Sequence, residues 1–148
     1  MKNKHHTKEK GDHGNIEIIA DLARKGLKIM VPLSEHLPFD LVAFDSNSGK
    51  LYKIQSKYKA MRDGKISVKL RTSYATKNGC VSNRYEIGSF DIMAIYCPEL
   101  NKVLYCKESD LQRLNNSLTI RVTEPKVGVS GVATTNSRMV KDYLEFPY

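Results

Sequence analysis

The stretch from Asp40 to Lys57 constrains the fold more than any other part of the chain. Leu41, Val42, Ala43 and Phe44 form a near-continuous apolar run, as in a strand buried on both faces. Ser46-Asn47-Ser48-Gly49 reads as a turn, and residues 51–57 as the next strand. Pairing of these strands through the turn brings Asp40, which opens the first, close to the far end of the second. Side chains alternate along a strand, so Lys53, Gln55 and Lys57 share one face and Tyr52, Ile54 and Ser56 the other. A carboxylate, an amide oxygen and an ammonium are thereby predicted to meet in one small space.

Hydrolysis of a phosphodiester needs those types of group. Mg²⁺ prefers hard oxygen ligands, and a bound divalent metal polarises phosphate. Asp40 and the Gln55 amide oxygen are candidate ligands, with the backbone carbonyl of Ser56 as a third. Lys57 is placed to stabilise developing negative charge. The plainer reading stays open on these residues alone: an Asp opening a strand also serves as a turn residue, and Gln-x-Lys on a strand also makes a solvated face.

The remaining pattern extends this hairpin into an α/β domain. Ile16, Ile19, Ala20, Ala23 and Leu27 recur at helical spacing, which predicts a helix over residues 12–26 ended by Gly26. Short strands are expected at 27–31, 66–71 and 118–122, and a β-hairpin from 91–96 and 103–106. Asp63-Gly64 is a hairpin signal and Asn78-Gly79 another turn. A helix over 109–114, capped by Ser109, and another over 137–144 complete the order, with 125–137 as loop. The expected architecture is a mixed-direction sheet with a helix on one face, in a single domain over 1–148 with 1–8 as a flexible arm.

Charge narrows the function. The chain carries +8, yet residues 50–84 alone hold ten basic side chains against one acid, Asp63. The excess is confined to that quarter of the chain, which suits a polyanion such as nucleic acid. No apolar run approaches the roughly 18 residues of a membrane helix. Residues 1–10 are basic and polar, unlike a secretory signal. Cys80, Cys97 and Cys106 lack metal-binding spacing, which predicts reduced thiols in a cytoplasmic protein acting at the nucleoid. In the expected hairpin register Cys97 faces Lys102 rather than Cys106, so no disulfide is expected.

Beyond these local patterns, Lys10-Gly11-Asp12-His13-Gly14, the run Pro32 to Val42 containing Pro38-Phe39-Asp40, and Ile54-Gln55-Ser56-Lys57-Tyr58 resemble the group I intron-associated PD-(D/E)XK endonucleases. The likeness continues at Leu70-Arg71-Thr72-Ser73, Ile95-Tyr96-Cys97-Pro98, Leu118 to Val122 and Lys141-Asp142-Tyr143, covering nearly the whole chain. The resemblance implies a restriction-endonuclease-like core, a mixed β-sheet flanked by helices. It also implies a homing endonuclease that cuts double-stranded DNA with Mg²⁺, Mn²⁺ substituting, as a homo-oligomer up to a tetramer.

Matched residue by residue, Asp40 takes the metal-binding aspartate. Gln55 takes the variable acidic position and Lys57 the catalytic lysine. Related nucleases often carry a glutamate near the start of the first helix, and the matching residue here is Asn15. Glu17 lies about 200° around a helix from Asn15. Asp12 is a further candidate, read against a cap role. The resemblance gives the basic stretch a use: Lys53, Lys59, Arg62, Lys65, Lys69, Arg71, Lys77 and Arg84 are expected to line the DNA groove, with Lys69 and Arg71 on one strand face. Tyr58 is expected to pack. Two alternatives accompany this reading, a nuclease-fold DNA-binding protein with weak or lost cleavage and a Holliday-junction resolvase-like enzyme.

Overall fold

The computed structural model describes residues 6–123 and 138–148. The expected 125–137 loop, Ser137 and the first five residues of the expected arm lie outside the described residues. Helix α1, His6–Arg24, is followed by strands β1, Lys28–Met30, β2, Leu41–Asp45, and β3, Lys50–Tyr58. Strands β4, Lys65–Lys69, β5, Arg71–Thr76, and β6, Gly79–Arg84, come next. Strands β7, Ile92–Cys97, and β8, Lys102–Lys107, precede a short helix α2, Glu108–Leu111, strand β9, Ser117–Arg121, and a 3-10 turn, Val140–Tyr143.

The main sheet has the order β1-β2-β3-β7-β8, with β3 and β7 parallel and the other neighbours antiparallel. A mixed sheet with a helix on one face was the expectation, and it holds. Strand β7 is buried on both faces, whereas in β3 only Ile54 is fully buried. Along β7, Ile92, Ala94 and Tyr96 face the α1 layer with Ile18, Leu22 and Ile54. Met93, Ile95 and Cys97 face a second layer built from Ile66, Val68, Leu118 and Ile120 of the β4–β9 ladder. Period-two alternation into two cores explains why β7 is buried at every position.

The β2–β3 turn is tied by Asp45, whose Oδ1 accepts the Asn47 N–H at 3.0 Å and whose Oδ2 accepts the Ser48 hydroxyl. It fixes the register Leu41↔Ile54, and the Asp40 N–H extends the pairing to the Ile54 carbonyl at 2.9 Å. A one-residue slip would invert both strands, so this turn decides which face Gln55 and Lys57 occupy.

Several elements differ from expectation. Helix α1 begins at His6, so residues 6–8 are helical rather than an arm, and Asp12 lies inside the helix rather than capping it. The buried stripe is Gly14, Ile18 and Leu22, while Ile16 is 63% exposed and Ala23 is also exposed. Gly14 belongs to that stripe because a Cβ there would lie 3.1 Å from Tyr58 Cβ, so the helix seats directly on β3. The Asp63-Gly64 turn forms, with φ of 51° and 68° and a local Arg62↔Lys65 bridge, but β4 leaves to pair with distant β9. Residues 66–71 are not one strand. Buried Leu70 separates β4 from β5, placing Lys69 opposite Ser117 and Arg71 opposite Arg84 in different ladders. Strands β5 and β6 flank the Asn78-Gly79 turn as a two-stranded ribbon that the sequence pattern did not announce. Helix α2 starts at Glu108 with Lys107 as its N-cap and no side-chain cap, not with Ser109. The closing helix is a single 3-10 turn.

Candidate active site

Asp40 sits where β2 begins, and its carboxylate closes onto the end of β3. The Gln55 Nε2 donates to Asp40 Oδ2 at 2.5 Å, and the Ser56 N–H donates to the same oxygen at 2.8 Å. Lys57, two residues beyond Gln55 on the same strand face, lines the same cleft. The predicted gathering of Asp40, Gln55 and Lys57 is thus present in the fold. Ser56 meets Asp40 through its amide rather than its carbonyl, and the Gln55 Nε2 lies 3.4 Å from that carbonyl.

The opposite wall of the cleft is α1. Lys8, Asp12 and Asn15 recur at the i, i+4, i+7 spacing of one helix face and line the cleft with Gly11. The Asn15 Oδ1 is buried and has no hydrogen-bond partner among the described residues. An unpaired buried acceptor costs free energy unless a cation or water meets it. Glu17 turns away, its carboxylate 3.5 Å from His13. Lys8 was not foreseen; its signal was the helix phase, hidden while the helix was expected to begin at residue 12.

Among the described residues no group of three or more His, Cys, Asp or Glu gathers to hold a metal. The donors present are oxygens: the Asp40 carboxylate, the Asn15 and Gln55 amides, and Asp12 on the cleft wall. This set fits Mg²⁺, which takes one or two carboxylates and retains several waters, and it does not fit zinc.

Lysine 57 is held from a second direction. Its Nζ lies over the Tyr85 ring, 5.4 Å from the centroid. Tyr58 packs as expected, against α1 and edge-on to Tyr96.

The basic residues divide into three groups. Lys59, Arg62 and Lys65 line a second cleft with Lys10, continuous with the first through Tyr58. Burial, then the charges of Lys57, Lys69 and Arg62, hold the Lys59 ammonium below the ordinary lysine range. Lys69, at the end of β4, and Arg71 and Lys77, on the ribbon, are exposed. Two residues expected to meet DNA are otherwise engaged. The Lys53 Nζ donates to the Gly88 carbonyl. The Arg84 guanidinium donates to the carbonyls of Gln112, at 3.0 Å, and Leu114.

A model of the PD-(D/E)XK endonuclease family matches residues 5–138, a span that contains the cleft and all three basic groups. The chain belongs to the PD-(D/E)XK endonuclease family. This PD-(D/E)XK endonuclease shares its fold with a bacterial homing endonuclease, I-Ssp6803I, at a TM-score of 0.68 and 23% identity over 81% of each chain. A search of curated proteins finds no match. The enzyme is a DNA endonuclease of restriction-endonuclease-like fold, a class that generally uses divalent metal ions. No helix among the described residues is long and apolar enough to cross a membrane.

Proposed function

We propose that this endonuclease hydrolyses phosphodiester bonds of double-stranded DNA at specific sites with Mg²⁺, as an intron homing enzyme, and that Asp40, Gln55 and Lys57 form its catalytic centre. The observation that carries this reading is the convergence of the Asp40 carboxylate, the Gln55 amide and Lys57 in one cleft beside the buried Asn15 Oδ1, which has no partner among the described residues. Asp40, Gln55 and Asn15 would hold the metal through oxygen. When bound, it supplies Lewis-acid stabilisation of phosphate charge. Lys57 adds a fixed positive charge where negative charge develops on the scissile phosphate. The Ser56 N–H orients the Asp40 carboxylate by binding one of its oxygens. With Gln55 and Asn15 as amides, affinity for Mg²⁺ is expected to be low.

The basic groups at Lys59, Arg62, Lys65, Lys69 and Arg71 would contact phosphates and set the duplex over the cleft. Cutting both strands requires two active sites or one used twice, so the enzyme would act as a dimer or tetramer. Exposed Met30, Val31 and Leu33, on and beside edge strand β1, offer an apolar contact for such assembly.

A plasmid nicking assay with Mg²⁺ or Mn²⁺ tests the reading. Wild type is expected to nick and then linearise the plasmid, while Lys57→Ala and Asp40→Asn bind duplex DNA and cut far more slowly. Equal cleavage by wild type and Lys57→Ala would remove the assigned site.

A further inference from the structure

The described side chains of the β5–β6 ribbon are mostly polar. Arg71, Thr72, Ser73, Thr76, Ser82 and Asn83 are all exposed, and no other element among the described residues packs substantially on it. An isolated two-stranded hairpin is marginal in water. This one is fastened at its base, where the Arg84 guanidinium grips the carbonyls of Gln112 and Leu114 across the chain. The fold therefore holds out a polar ribbon whose own stability gains little from burial.

Its charge indicates what it meets. Residues 71–84 contain Arg71, Lys77 and Arg84 and no acid. Its dimensions agree. Two strands about 4.8 Å apart, with side chains, fill a groove about 12 Å wide. Six residues per strand at about 3.3 Å each span roughly six base-pair steps. The ribbon also carries uncharged hydrogen-bonding side chains, which can reach base edges as well as phosphates. Thr72 and Asn83 stand opposite each other in the register, where the Thr72 hydroxyl donates to the Asn83 carbonyl at 3.3 Å. Ser73 and Ser82 form the neighbouring pair, joined through their hydroxyls at 3.3 Å. An asparagine carboxamide matches the adenine major-groove edge with two hydrogen bonds.

We propose that the β5–β6 ribbon is the sequence-reading element of this enzyme, lying in the DNA major groove with Asn83 and Thr72 on base edges. The proposal rests on the site-specific endonuclease reading and adds where the specificity resides. Strand β6 runs directly into Tyr85, whose ring lies under Lys57. Reading and cutting are thus joined by one residue of chain.

The test is selection from a randomised duplex library by the full chain, followed by dimethyl sulfate interference on the selected duplex. Wild type should enrich a defined sequence, with interference from guanine N7 methylation along one contiguous run. Asn83→Ala and Thr72→Ala should each relax preference at one position in that run by about tenfold or more. Asn83→Arg should replace the base selected at its position by guanine, a gain that a misfolded variant cannot give. Unchanged selected sequences in all three variants would overturn the ribbon's role while leaving the endonuclease reading intact. Interference confined to adenine N3 would overturn major-groove docking. If wild type selected nothing and nicked no plasmid, both readings would fail together.

Discussion

The Lys57 ammonium lies over the Tyr85 ring, and that ring meets Phe90 edge-on, with centroids 5.2 Å apart and planes at 88°. Phe90 is buried in the second core, so the platform beneath Lys57 is anchored in packed hydrocarbon. A cation over an aromatic face contributes about 0.5–2 kcal/mol, depending on desolvation. Tyr85→Leu should therefore slow single-turnover cleavage by about 3- to 30-fold without changing DNA affinity. Tyr85→Phe keeps the face and removes a buried hydroxyl that lacks a partner among the described residues; it should cut like wild type and melt no earlier. In a Lys57→Ala background Tyr85→Leu should cost nothing further. A loss equal to that in wild type would show that Tyr85 acts by another route.

The cleft is short of carboxylates, and that shortage can be reversed. Gln55→Glu or Asn15→Asp should lower the Mg²⁺ concentration for half-maximal cleavage, because each adds a charged oxygen beside Asp40. Calorimetric titration of the free enzyme with Mn²⁺ should show the same order of affinities, with Asp40→Asn weakest. Tighter cleavage midpoints without tighter Mn²⁺ binding would place these residues outside the metal shell.

Lys59 titrates below the ordinary lysine range because it is partly buried beside Lys57, Lys69 and Arg62. The unfolded chain then binds more protons than the folded one from the depressed value up to the ordinary 10.5. Stability rises with pH through that window, and the cost of the charge is fully present below it. Lys59→Gln should accordingly raise Tm at neutral pH and flatten the rise toward pH 10, while weakening duplex binding. Added salt should shrink the Tm difference, since part of the cost is repulsion between charges. A Tm below wild type would contradict this account.

Basic residues of the ribbon and its approach should separate by role. Lys69 and Arg71 are exposed, and removing either charge should make duplex affinity less steeply dependent on salt, by about one counterion. Arg84 holds backbone carbonyls instead, so Arg84→Ala should speed hydrogen exchange throughout β5 and β6. Exchange confined to Arg84 itself would mean that the ribbon needs no anchor.

Cysteine reactivity offers a check on burial. Cys97 and Cys106 are buried, and desolvation pushes the Cys106 thiol up to about 12 and raises that of Cys97. Native protein at neutral pH should take up one equivalent of Ellman's reagent, at exposed Cys80, and denatured protein three.

Much of the site was legible because it lies on a hairpin. The turn tied by Asp45 sets the register, and period-two alternation then decides which residues join Asp40. Nothing so local governs the rest. The buried stripe of α1 runs through Gly14, which has no side chain to mark it, while Ile16 marks a face that stays in water. Asp63-Gly64 promised a local hairpin, but the apolar residues of β4 are covered by β9, Ile66 facing Ile120 and Val68 facing Leu118. The ribbon went unseen because its described side chains are mostly polar and exposed, so little alternation of apolar and polar residues marks it. Hydrophobic pattern locates what is packed; a strand that packs on nothing leaves only its turn as a trace.

Arg71 and Arg84 are paired across the base of the ribbon, so the chain leaves the body and returns to it at neighbouring points. Leu70 and Tyr85, immediately outside that pair, are anchored in the second core and beneath Lys57. Insertions and exchanges are best tolerated where an exposed excursion begins and ends at one place. A lineage of such enzymes can therefore acquire a new address by rewriting exposed positions such as Thr72, Ser73, Ser82 and Asn83, while the proposed catalytic residues are inherited unchanged.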